Sequence, residues 1–182
     1  MSKKITFTVL FTAIMCASCF IQIPFIGGIP IVLQDMIAIL SGILLGPIYG
    51  FLSVFFYIVL GCLGLPVFSG KAGIQIILQS PTGGFIIGYL IASFTSGFFT
   101  FSAYKINNKF LKITIISIAT ILGIIMIFTF GMIRFWQIFP AKSFSEIKTL
   151  VLIPFLPGTI VKLLIMIPLA IKLQPTIKNY LE

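Results

Sequence analysis

Lys162 is the side chain in this sequence best placed to do chemistry, because it falls near the middle of a long apolar stretch close to the carboxyl end. Holding an ammonium at the centre of a membrane helix costs at least about 2.5 kcal/mol on insertion scales, so a lysine there is functional by default. An ammonium facing a cavity suits an anionic ligand, and a carboxylate is the commonest such group. The competing reading is a lysine that snorkels to an interface, with Pro154 and Pro157 lowering the start of its helix. Asp35, beside Gln34, is the second candidate. It reads equally well as a binding residue and as a solvated acid at a helix start, favoured there by the helix dipole. Little else is available for catalysis. The chain has no histidine, and its only acids are Asp35, Glu146 and the carboxyl-terminal Glu182. Paired carboxylates, histidine-based triads and His/Asp metal sites therefore lack their residues, and neither a cofactor nor a metal is expected. No phosphate-cradling P-loop is present, so the chain does not hydrolyse ATP by itself. Cys16 and Cys19 form a C-x-x-C, but they lie in an apolar helix with no histidine to complete a zinc site, and packing is the better account. Phe25, Phe55, Tyr57, Phe68 and Tyr89 are candidates to wall an apolar pocket, although none stands out among twenty phenylalanines.

The elements that position these residues follow from the solvent. Apolar residues make up 59% of the chain, charged residues 8%, and the mean hydropathy is +1.24, whereas soluble domains carry about a quarter charged residues. The stretches from Lys4 to Asp35, Asp35 to Lys71, Lys71 to Lys105 and Lys112 to Arg134 contain no charge, and each exceeds the roughly 20 residues that a spanning helix needs. They lack the period-two alternation of an outer-membrane strand. The net charge of +9 sits between apolar runs rather than in a basic stripe, which argues for topology signals and against a nucleic-acid partner.

The run from Met36 to Gly70 would form one helix of roughly 52 Å, far beyond a hydrocarbon core of about 30 Å, and Gly46-Pro47 offers a turn within it. Splitting it there gives an all-α integral membrane protein with six transmembrane helices, over about 5–23, 33–45, 48–63, 81–103, 113–135 and 151–171, in one transmembrane domain. The positive-inside rule favours the split. With six spans Lys3, Lys4, Lys105, Lys109, Lys112, Lys172 and Lys178 fall inside and Lys71, Arg134, Lys142 and Lys148 outside, seven against four; without it the count is six against five. Both termini are then cytoplasmic, in a multi-pass protein of the cytoplasmic membrane. Met1 to Lys4 resembles the charged start of a signal peptide, but no small-x-small site follows, and the first run reads as a retained span. Pro24, Gly27, Gly28 and Pro30 make a short loop, and the segments 65–80 and 137–149 become external loops. Ala13-x-x-x-Ala17 is a small-xxx-small pattern that lets another helix approach closely, either within the bundle or between proteins.

Several strings together resemble the biotin-specific S components of energy-coupling factor (ECF) transporters, the BioY family, over most of the chain. They are IPIVLQ from Ile29 to Gln34, LSGILLGPIYGFLSVFFYIVLGCLGLPVF from Leu40 to Phe68, SPTGGFIIGY from Ser80 to Tyr89, and PFLPG from Pro154 to Gly158 followed by Lys162. The resemblance implies a six-helix S-component bundle, a biotin site near the external face roofed by loops, and delivery through a transmembrane coupling protein with two ATPase subunits. It assigns Ala13 and Ala17 to docking on that coupling protein. It also implies a ligand set of Lys162, Thr159, Gln75, Tyr89 and Gln34. The last helix is similar to the family pattern PFLPGD-x-x-K, with Thr159 where an acid is usual. A threonine still hydrogen-bonds but cannot pair with Lys162, which would leave the lysine freer to hold a carboxylate. The loop from Leu65 to Ser80, rich in glycine, is the expected gate. An S component for another vitamin, or a membrane scaffold without a transport role, are the alternative readings.

Overall fold

The computed structural model describes residues 3–23, 31–103 and 108–181. Pro24, Phe25, Gly27, Gly28, Pro30 and Lys105 lie outside the described residues. In chain order the elements are α1 (Lys3–Ala17), a 3₁₀ turn (Ser18–Phe20), β1 (Gln22–Ile23), β2 (Ile31–Val32), α2 (Gln34–Cys62), α3 (Ile74–Gln79), α4 (Gly83–Ala103), α5 (Lys109–Ile138) and α6 (Phe144–Leu181). The two short strands pair antiparallel, Gln22 opposite Val32 and Ile23 opposite Ile31. The sequence reading contains no strand, and α3 falls within what it treats as a loop.

Among the described residues five helices are long and apolar enough to cross a membrane, and α2 makes two of the crossings. Its helix breaks at Gly46, where φ is 83° and ψ 178°, a conformation glycine adopts without a Cβ clash, and Pro47 then has no N–H to continue the ladder. The chain folds back on itself there. A Cβ on Gly50 would lie 2.6 Å from the Cα of Gly42, whereas residues eight apart in an unbroken helix are separated by about 12 Å. The far ends of the hairpin meet as well, since the Gln34 side-chain amide donates to the Val67 carbonyl at 2.7 Å. The bundle is therefore six-helical, with α4 packed between the α2 hairpin and α5.

Hydroxyls satisfy one another's backbones inside this apolar interior. Thr12 on α1 donates to the Ser53 carbonyl at 2.9 Å, and Ser96 on α4 to the Ile39 carbonyl at 3.2 Å, both buried. Large apolar side chains cover the outside, with Phe98, Phe101, Phe110 and Leu164 all more than half exposed, as expected where the surrounding solvent is lipid. Ala13 and Ala17 are among the outward residues of α1.

Helix ends carry local signals. Ser143 and Glu146 form a reciprocal capping box, which starts α6 inside the segment that the sequence reading assigns to an external loop. At 38 residues, roughly 57 Å, α6 outreaches the bilayer core. Asn108 caps α5 by accepting from the backbone N–H groups of Phe110 (2.9 Å) and Leu111 (3.3 Å). Asn108→Ala should cost about 1 kcal/mol, and Asn108→Asp much less, in unfolding titrations of the detergent-solubilised protein.

Candidate functional site

A cavity of about 290 Å³ opens at the end of the bundle where α2 starts and finishes. Three rings build one wall: Phe85 of α4 stacks on Phe155 of α6 with centroids 6.3 Å apart, and Phe128 of α5 meets both edge-on at 6.1 and 6.2 Å. Ile86 and Ile127 extend this apolar surface.

Lys162, 8% exposed, reaches from α6 to the start of α2 and places Nζ 2.6 Å from Oδ2 of Asp35. The other carboxylate oxygen accepts the Met36 backbone N–H at 2.8 Å, so Asp35 is held at both oxygens at the first turn of α2. The pair lines the cavity, and neither partner's hydrogen-bonding capacity is exhausted by the bonds it makes. This corrects the expectation that Lys162 stands unpaired because Thr159 replaces an acid: the acid comes from α2, and the lysine is charge-compensated. It also puts Asp35 on the cavity lining, paired with Lys162, rather than at a freely solvated helix start.

Tyr89 lines the same cavity, and among the described residues its hydroxyl has no hydrogen-bond partner. Gln34 lines it too, but its amide is committed to the Val67 carbonyl, which also accepts the Tyr57 hydroxyl at 3.2 Å. Gln34 thus ties the segment after α2 to the helix that carries Asp35. That segment turns at Ser69 and Gly70, with φ of 52° and 80°, and is closed by backbone bonds in both directions between Phe68 and Lys71. Two consecutive positive φ values make a tight turn of the mirror-image type. Phe68, 3% exposed, anchors it by packing edge-on against Tyr57 and over Gly61. Val32, Ser69, Lys71 and Thr82 complete the cavity's lining.

The structure therefore brings Lys162, Tyr89 and Gln34 together and leaves two expected members aside. Thr159 lines a separate apolar groove between α5 and α6, beside Ile125, Thr129 and Leu156. Three residues of helix turn it about 60° from Lys162, enough to face α5. Gln75 is exposed on α3 and does not line the cavity. Phe55 is exposed, and Tyr57 supports the site from behind Phe68. Counting acids narrows the partner of a buried Lys162 to Asp35, Glu146 or Glu182 but does not single out Asp35. The roles of Phe128, Phe155 and Lys71 carry no comparable signal in an apolar sequence.

Comparison with known proteins agrees with this architecture. Residues 1–179 match the BioY family. The chain is 32% identical over 173 residues to the biotin transporter BioY of Rhodobacter capsulatus, covering 91% of this chain and 90% of that protein. It is 42% identical over 96 residues to the probable biotin transporter BioY of Pyrococcus horikoshii, where the match spans 53% of this chain and only 59% of the relative. The fold is similar to the crystal structure at 2.1 Å of the S-component for biotin from an ECF-type ABC transporter, with a TM-score of 0.81 and 27% identity over 99% of this chain and 96% of that one. A match along almost the whole sequence, on a six-helix bundle superposable end to end, makes this multi-pass membrane protein a member of the BioY family.

Proposed function

We propose that this chain captures biotin at the external face of the cytoplasmic membrane and is the substrate-binding subunit of an ECF-type transporter. The observation that carries the reading is the Asp35–Lys162 pair lying in a cavity walled by Phe85, Phe128 and Phe155. Biotin presents an apolar bicycle, two ureido N–H donors beside a ureido carbonyl, and a carboxylate on an apolar chain. Asp35 accepts from the ureido N–H groups, Lys162 and the Tyr89 hydroxyl donate to its carbonyl, and the rings cover the bicycle. A compensated ion pair offers both donors and acceptors without burying net charge, which is what a neutral, strongly hydrogen-bonding head group requires.

The orientation follows the same charges as the topology reading. The cavity end is near Lys71 and Arg134, and the opposite end bears Lys3, Lys4, Lys109, Lys112, Lys172 and Lys178, a charge bias that supports cytoplasmic termini by the positive-inside rule. As a subunit of an ECF-type transporter, the chain takes its energy for uphill transport from partners, a transmembrane coupling protein and two ATPase subunits. Ala13 and Ala17, exposed on α1, allow a coupling helix to approach closely there.

Equilibrium binding of labelled biotin to the purified protein tests the reading. Saturable binding, displaced by unlabelled biotin and not by thiamine or riboflavin, is expected. Absence of biotin binding by protein that unfolds cooperatively would overturn it in favour of a different vitamin.

A further inference from the structure

Charges lining the cavity do not sum to zero. Asp35 and Lys162 cancel, and Lys71 remains as a second cation on the lining, with no carboxylate partner among the described residues. Glu146, the other described acid, is engaged with Ser143 at the start of α6. The cavity thus carries a formal charge of +1, complementary to a ligand with one negative charge.

Position separates the two lysines. Lys162 is buried, whereas Lys71 is exposed while still lining the cavity, so the cavity runs from a buried, neutralised pair to an open cation. The backbone under Lys71 is fixed rather than loose. It closes the tight turn through two hydrogen bonds with Phe68 (2.9 and 3.0 Å), and Phe68 is packed into the end of α2.

We propose that Lys71 receives the ligand's carboxylate at the mouth of the cavity, and that Lys162 does not. This deepens the biotin reading and rests on it. Binding then has a fixed polarity, with the ureido end inward at Asp35–Lys162 and the valerate chain pointing outward. Carboxylates are selected over neutral analogues by a residue of the turn after α2, not by the membrane-buried lysine.

The test compares biotin with biotin methyl ester, which keeps the rings and chain but not the charge, on the full-length detergent-purified protein. Lys71→Gln should weaken biotin roughly five- to tenfold, as expected for a charge-assisted contact that is partly open to water, and leave the ester within about twofold of wild type. Lys71→Arg should restore most of the preference. Raising salt from about 0.05 to about 0.5 M should weaken biotin binding to wild type and not to Lys71→Gln, because an exposed pair is screened. If wild type binds biotin and Lys71→Gln keeps the acid-over-ester preference, or loses both ligands equally while melting like wild type, the assignment of Lys71 is wrong and the biotin reading stands. If folded wild type binds neither ligand, the biotin reading fails and the assignment falls with it.

Discussion

Lys162→Met is expected to lower biotin affinity by at least about a hundredfold, about 2.7 kcal/mol, and also to destabilise the protein itself. The first effect is loss of a charged donor to the ureido carbonyl in a site with little water to replace it. The second arises because Asp35 keeps its position at the start of α2 with its compensating charge gone. Removing one partner of a buried pair costs about 3 kcal/mol, whereas replacing both with neutral groups of similar size is close to neutral. The side chains of Lys162 and Asp35 are only 10% and 19% exposed, so screening by water is limited. Lys162→Met with Asp35→Asn should therefore recover most of the lost stability and none of the lost binding. Melting curves and binding isotherms on the four proteins of this cycle separate the two effects. If the double variant is no more stable than Lys162→Met, the pair is not energetically coupled, and a ligand role alone must account for a lysine at that depth.

This pair also shows how far the sequence could be read. Lys162 was conspicuous because a lone ammonium inside an apolar run has no cheap explanation, and the break at Gly46-Pro47 was legible because an unbroken helix would have been too long for a bilayer. Both arguments need only local sequence and the thickness of the solvent. The partner of Lys162 needed more, since Asp35 lies 127 residues away and nothing in helical periodicity names which helix a buried side chain will face. Thr159 illustrates the same limit at short range, because one step of 60° around α6 moves it from the cavity to the groove against α5. Gln75 was placed by its position in a loop, and that loop contains a short helix that turns it outward. The early start of α6 was in principle readable from Ser143-x-x-Glu146, but apolar content alone puts the beginning of the helix later.

Gly42→Ala is the substitution expected to damage the fold most for the least added mass, a single methyl group. Its Cβ would run into the backbone carbonyl of Ser93 and the Ser96 hydroxyl on α4, with the Ser93 carbonyl carbon at 2.9 Å. A side chain could rotate aside, but a backbone carbonyl on a helix cannot, so α2 and α4 must separate along their length. Overpacking of this kind costs about 1–3 kcal/mol even where side chains absorb the strain, and more is expected here. Gly64→Ala provides the contrast. Its φ of 113° disfavours a Cβ, yet nothing lies within 4 Å of the site, so only backbone strain of about 1–3 kcal/mol applies. Denaturant titration in mild detergent should rank Gly42→Ala well below Gly64→Ala, with Gly42→Ala recovered in poor yield or as aggregated protein. The same change should cost binding in whatever fraction stays folded, because Gly42 lies two helical turns from Asp35 on the face that sets its register against Tyr89 of α4. Should Gly42→Ala fold and bind like wild type, the close seam between α2 and α4 is not what positions the site, and the Asp35–Lys162 pair must hold its own geometry.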